Sequence, residues 1–288
     1  MTAHDYPDVH DESGYVPLFD GRSLDGWRVI PRIYGALYPG GPDTSVFFEQ
    51  HGLTPPENPE LHPPHWTVED GALVGRQGTP TYGGYLITEQ PLGDFDLAVE
   101  LRPDWPADTG IMLRRKLDDW SGFQVLVDHR PSGGIGGFFG NGLALFSALP
   151  FAIDAIVNEK GHPVGLRADD PATSTELVTP EKISRLDYAA HVDDLLAVWR
   201  WDDWNELRIR CVGGALPVLT TWINGVKIAE LNTANIDFPD YDPASIAEYL
   251  GPSGHIALEV HDNDDMFGEA RWGKGAACRW RNVRAREY

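Results

Sequence analysis

DFDLAVELR (94–102), GIMLRR (110–115) and GFQVLVD (122–128) alternate apolar and polar side chains with a period of two. Strands that bury one face and leave the other polar read this way. In the first, Phe95, Leu97, Val99 and Leu101 share one side, and Asp96, Ala98, Glu100 and Arg102 share the other. In the second, Ile111 and Leu113 oppose Met112 and Arg114. In the third, Phe123, Val125 and Val127 oppose Gln124, Leu126 and Asp128. HIALEVH (255–261) repeats the pattern, with Ile256, Leu258 and Val260 against Ala257, Glu259 and His261. Each strand has one side to bury, so the strands must pack in two layers with a shared core. Glu100, Arg114, Asp128, Glu259 and His261 are then expected on one polar sheet face.

Further strands are expected at 204–212 (WNELRIRCV), 218–223 (VLTTWI) and 277–286 (ACRWRNVRAR). Asn224-Gly225 marks a hairpin, because a type I′ turn needs positive φ at both central residues. WTVEDGALVGR (66–76) reads as another hairpin, around Asp70-Gly71. The 31 glycines and 23 prolines punctuate the chain into short segments, as in an all-β antiparallel protein. The chain is read as one domain over 1–288, with long loop insertions at about 31–65 and 129–200 and short helices near 181–186 and 243–250. Connections this long usually carry function, and their aromatic and glycine content suits ordered loops walling a site. GGIGG (133–137) is expected to be a tight or mobile loop. It does not sit between a parallel strand and a helix, as a dinucleotide fingerprint would.

The 288 residues carry 23 Lys+Arg and 44 Asp+Glu, a formal charge of −21. Such a chain repels phosphate backbones and anionic lipid, so neither nucleic acid nor a membrane surface is expected as a partner. Neutral small molecules, cations and cationic metals remain as partners, and a homo-oligomer stays open. The opening residues, MTAHDYPDVHDESGYV, contain no basic segment followed by an apolar one, which is the expectation for a cytoplasmic protein. Cys211 and Cys278 lie in apolar strand contexts and are expected to be buried free thiols.

VPLFDGRSLDGWR (16–28), WTVEDGALVG, GDFDLAVELRPDWPADTGIMLRR, WNELRIRCVGG with TTWINGVKIAEL, and GHIALEVH with RWRNVRAREY occur in this order. Together they resemble the 3-keto-disaccharide hydrolase domain family, with 129–200 the least similar region. The resemblance implies a concanavalin A-like jelly roll with a sugar site on the concave face of one sheet. It also implies cleavage of glycosidic bonds in 3-keto-glycosides, with a small-molecule sugar substrate as the partner. Two departures stand out: Gln124 and Leu126 occupy a strand where relatives carry Glu-x-Gln, and Glu259 replaces a glutamine before the late histidine.

In a 3-keto sugar the ketone acidifies the hydrogen at C2, so a base can remove it and the aglycone leaves from C1. Water then adds to the enone. The enolate needs a cation or an arginine, and the proton transfers need a carboxyl or imidazole. Asp128, His261 and Arg114 are the expected catalytic residues. Gln124, Arg114, His129 and Trp222 are expected to bind substrate. Glu100, Asp128, Glu259 and His261 are expected to hold a divalent metal ion of unspecified identity. Two other readings stay open: a non-catalytic lectin-like protein, and an endoglucanase with paired carboxylates, whose Glu-x-Asp-x-x-Glu strand is absent. His51, His62 and His65 fit no ligand spacing. Asp262, Asp264 and Asp265 could form an acidic loop or a calcium site, without the glycine and distal glutamate of an EF-hand. Trp66, Trp105, Trp120 and Trp222 could be core residues or stacking platforms.

Overall fold

The computed structural model describes residues 6–288, so the first five residues of the stretch read for a leader lie outside it. The strands are β1 (Val16–Pro17), β2 (Trp27–Pro31), β3 (His65–Glu69), β4 (Ala72–Arg76), β5 (Gly84–Thr88), β6 (Phe95–Pro103), β7 (Ala107–Arg115), β8 (Gly122–His129) and β9 (Ile135–Asn141). They continue with β10 (Ser147–Ala148), β11 (Ile153–Val157), β12 (Pro163–Ala168), β13 (Tyr188–Ala189), β14 (Asn205–Val212), β15 (Val218–Ile223), β16 (Val226–Asn232), β17 (His255–Val260) and β18 (Cys278–Glu287). One antiparallel sheet runs β13-β16-β15-β14-β6-β18-β4-β3, with β1 on β18, and the other runs β10-β9-β8-β7-β17-β5-β2. This is the jelly-roll sandwich that alternation requires. β11 and β12 form a separate hairpin.

All twelve apolar side chains assigned above to the inner faces of β6, β7, β8 and β17 are buried in one core cluster spanning both sheets. The hairpins follow their turn chemistry: Asn224 and Gly225 have φ 47° and 87°, and Asp70 and Gly71 have 49° and 77°. Helices occupy Pro180–Ser184 and Pro243–Leu250, as the composition of those stretches suggests. Both cysteines are free and buried.

The stretch 129–200 is not irregular. It holds β9 to β13 and two short helices, and GGIGG leads into a strand rather than forming a loop. The glycines are there because of close approach. A Cβ on Gly133 would lie 2.0 Å from the Asp128 carbonyl oxygen, and one on Gly136 would lie 2.7 Å from Ile228. Insertion 31–65 includes the helix Thr44–His51, capped by the Asp43 carboxylate accepting from Ser45 N–H, a preferred arrangement at a helix start.

Leu258 is fully buried between the sheets. Leu258→Ala should lower the unfolding free energy by roughly 2–4 kcal/mol through lost burial and residual cavity. The check is the denaturant midpoint, and an unshifted midpoint would place the side chain outside the core.

Candidate functional site on the outer face of the seven-stranded sheet

Because inner positions on β7, β8, β17 and β5 are apolar, the alternate positions build the outer face. They are Asp108, Gly110 and Met112, then Gln124, Leu126 and Asp128, then Ala257 and Glu259, then Tyr85 and Ile87. Insertion 31–65 closes over the middle of this face. Tyr34 wedges its ring against Phe48 and Trp120, at centroid distances of 5.2 and 5.4 Å, and its hydroxyl meets the Asp262 carboxylate at 3.1 Å. Beneath it Arg32 pairs with Glu259, Gln124 donates to Glu259, and Asn141 donates to Gln124 Oε1 at 2.7 Å. Tyr85 and Glu259 are fully buried here, and Gln124 nearly so. Burial raises the Tyr85 hydroxyl above the usual tyrosine range.

Past this covered part, at the ends of β7, β8 and β17, the face carries a charge cluster. Asp108 and Asp128 are directly opposed partners on adjacent antiparallel strands. Arg130 Nε donates to Asp108 at 3.0 Å and lies 3.8 Å from Asp128. Arg130 also pairs with Glu176, and Arg271 pairs with Asp108 and, at 2.8 Å, with Asp264. Phe267 lies beneath both guanidiniums, whose central carbons are 4.9 and 4.5 Å from its ring centroid. Two buried carboxylates side by side cannot both hold charge cheaply. Burial opposes ionisation of Asp108, but Arg130, His261 and Arg271 outweigh it and hold that carboxyl well below the usual range. Burial, then the Asp108 charge and a hydrogen bond to it, push Asp128 well above the usual range. The two titrations are thereby driven apart, Asp108 downward and Asp128 upward. Its Oδ1 has no protein hydrogen-bond partner.

His261 follows β17 and is 13% exposed at its side chain. Its Nδ1 lies 2.7 Å from the Asp262 backbone oxygen, which can only accept, so Nδ1 carries a hydrogen and Nε2 is the nitrogen that can exchange a proton. Burial opposes the charge on Asp262, and His261 and Arg32 overcome it, bringing its pKa to about 2.

Of the expected residues, Asp128 and His261 lie at this open end, and Gln124 and Glu259 lie in the covered part. The other four stand elsewhere. Glu100 is on β6, in the other sheet, where its carboxylate accepts from Arg281 at 2.7 Å and Asn282 at 2.6 Å. It lines a cleft of about 560 Å³ with Trp204 and Arg281. Trp222 lies on the same sheet, on β15, facing His10. Parity groups residues by face within a strand and is silent on which sheet the strand joins. His129 follows Asp128 and therefore points to the opposite side of β8. There it packs on Trp105 and Trp201 at 5.0 and 5.1 Å.

Arg114 departs for a different reason. β7 bulges against β17 between His255 and Ala257, and Arg114 takes φ 53°. An extra residue at a bulge reverses the alternation. Arg114 turns inward and is fully buried, donating to the carbonyls of Leu92, Gly93 and Gly214 and to Asp94 at 2.8 Å. The backbone passes so close to Gly254 that a Cβ there would lie 2.6 Å from Arg114 Cα. Arg115 stands on the outer face instead, 5.0 Å above the Tyr85 ring.

The four expected metal ligands therefore do not converge. Among the described residues no group of three or more His, Cys, Asp or Glu has the arrangement to hold a metal ion. Glu259 is neutralised by Arg32, the Asp128 titration is raised, and Arg130 and Arg271 already occupy the cationic positions beside Asp108. A dication added among these guanidiniums would be repelled, so the donor set does not fit one. Asp262 and Asp264 pair with Arg32 and Arg271, and Asp265 accepts from Thr54 N–H. Trp66 and Trp120 are core-buried.

A family model for the 3-keto-alpha-glucoside-1,2-lyase-like domain matches residues 14–286. The chain belongs to this family. None of the curated proteins matches it. Among solved structures, this family member is similar to a proposed glycosyl hydrolase from Parabacteroides distasonis at 16% identity, covering 91% of this chain and 99% of that one, with a TM-score of 0.42. It is also similar to the carbohydrate-binding module CBM66 from Bacillus subtilis at 11% identity, with 78% and 92% covered and a TM-score of 0.41. A laminarinase from Flavobacterium is 10% identical, with 94% and 98% covered and a TM-score of 0.41.

Sequence reasoning passed over Asp108, Arg130 and Arg271 in this family member. Asp108 could have been found by extending the alternation of 110–115 two residues back through PADTG. Arg130 and Arg271 lie beyond strand ends and leave no such signal. The raised titration of Asp128 has a measurable consequence. An unfolded Asp loses its proton near pH 4, whereas folded Asp128 keeps it to higher pH, so stability falls as pH climbs from about 4 toward the raised value. Asp128→Asn removes that penalty. Its Tm should exceed the wild type at pH 7, by a margin that grows with pH and vanishes below about pH 4. A margin independent of pH would show that Asp128 is ionised in the fold.

Proposed function

We propose that the chain cleaves 3-keto-glycosides by eliminating the aglycone and then hydrating the product. The observation that carries this is the opposed Asp108–Asp128 carboxyl pair, in which Arg130 and Arg271 hold Asp108 while burial and the Asp108 charge raise Asp128. A carboxyl whose titration is raised in this way is suited to act as a general acid. His261 Nε2 removes the hydrogen from C2, and the electron pair moves onto the C3 oxygen. The positive edge made by Arg271 and Arg130 stabilises that enolate. Its collapse forms the C1–C2 double bond and breaks the bond from C1 to the aglycone oxygen, which takes the Asp128 proton. In the second half a water oxygen bonds to C1, Asp128 recovers a proton from that water, and protonated His261 returns one to C2. Net, one water is consumed and the 3-keto sugar and free aglycone are released.

The match to a 3-keto-alpha-glucoside-1,2-lyase-like domain supports this substrate class, and no step calls for a metal ion. His261→Ala and Asp128→Asn should each lower kcat on a 3-keto-glycoside by about 10²–10⁴, the usual worth of a general acid or base. Activity should persist through neutral pH and decline as Asp128 ionises. In deuterated water the released keto sugar should carry deuterium at C2. A single-turnover product that keeps its original C2 hydrogen would rule elimination out, and absence of any turnover with retained sugar binding would favour a lectin-like role.

A further inference from the structure

Across β8 from Asp128, Trp105, His129 and Trp201 line a second cleft at the end of the sandwich, and Trp199 packs on His129. Trp105 comes from the β6–β7 connection, His129 from the last position of β8, and Trp199 and Trp201 from the stretch before β14. His129 stands 5.0 Å from Trp105, 5.4 Å from Trp199 and 5.1 Å from Trp201, and the two outer indoles, Trp105 and Trp201, are 5.8 Å apart. Pro103, Asp104, Pro163 and Asp202 complete a cleft of about 230 Å³. That is below the usual span for drug-sized ligands and suits a single ring.

An aromatic cluster alone would be core. What distinguishes this one is its unfinished hydrogen bonding. His129 is 2% exposed, and its Nδ1 lies 2.9 Å from the Asp104 backbone oxygen. That oxygen can only accept, so Nδ1 carries the hydrogen and Nε2 presents a lone pair. Nε2 is buried without a partner. Leaving it unmet is costly. A bare acceptor on a ring that lines an aromatic cleft asks for an apolar face and a hydroxyl that can donate to it. A ring with apolar C–H faces for the indoles and hydroxyls on its rim meets both demands, and a plain aromatic hydrocarbon meets only the first. Burial also pushes His129 down to about 4, so it stays neutral toward a neutral ligand.

We infer that this cleft is a separate carbohydrate site that takes one pyranose ring, stacked on Trp201 and hydrogen-bonded through a hydroxyl to His129 Nε2. His129 Nε2 is buried among these rings, so entry shifts a neighbouring indole and alters tryptophan emission. The inference concerns binding without turnover, so it stands or falls apart from the cleavage chemistry.

The full chain is titrated with methyl glucopyranoside, sucrose and trehalose, following emission and heat of binding in parallel. A saturable response is expected in the wild type and in Asp128→Asn. Trp201→Ala, at a partly exposed position, should abolish it. His129→Phe, which keeps a packed ring, should weaken it about tenfold, the worth of roughly one enclosed hydrogen bond. The inference is overturned by no saturable response, by a response that survives Trp201→Ala, or by one that is lost in Asp128→Asn and so belongs to the carboxyl pair. Saturation by phenol but not by the sugars would overturn it equally.

Discussion

The apolar inner faces of β7, β8 and β17 decide where the charged groups of the outer face can stand. With Ile111, Val125 and Leu258 locked between the sheets, the intervening side chains have no choice but to face outward. A slip of one residue would drive Asp128 and Glu259 into the core. That is worth far more than any single contact on the outer face. The pairing of Asp108 with Asp128 is thus imposed by hydrophobic register rather than by attraction between the two groups, which repel one another when both are charged.

The outer face then resolves a conflict between burial and charge. Unpaired buried carboxylates are costly, and two devices relieve the cost. In the covered part, Glu259 meets Arg32 and Gln124 under the Tyr34 wedge, an arrangement that rigidifies the middle of the sheet. At the open end, Arg130 and Arg271 stabilise the Asp108 charge while the Asp128 titration is raised. The first solution pairs the Glu259 carboxylate with a cation and an amide, though the Tyr85 hydroxyl and Asn141 Oδ1 beside it stay without a partner. The second leaves a titratable carboxyl and an unpartnered oxygen beside a partly exposed histidine, and so remains chemically active. The same logic separates the two ends of β8, because Asp128 and His129 are adjacent in the chain and serve opposite sides of the strand.

Alternation gave the correct inner set, both turn hairpins and the outer placement of Asp128, Gln124 and Glu259. It failed at Arg114, where one bulge reversed the order and exchanged Arg114 for Arg115 on the face. It also failed for Glu100 and Trp222, because equal parity on two strands says nothing of whether those strands share a sheet. The long stretch 129–200 looked irregular because its strands are short and glycine-rich. Those glycines are demanded by close backbone approach that exists only after folding.

What the sequence alone determined is therefore the local part: strand periods, turn chemistry, free thiols and a family membership carried by ordered motifs. These depend on neighbours within a few residues, or on patterns that survive without coordinates. Only the tertiary structure decided that Asp108 faces Asp128, that Arg130 and Arg271 arrive from beyond strand ends to stabilise it, and that insertion 31–65 covers the middle of the face. Strand pairing and loop return bring together residues far apart in the chain, as with Arg271 and Asp108, 163 positions apart. Burial and mutual charge then set their protonation, and neither quantity exists until those residues share one desolvated space.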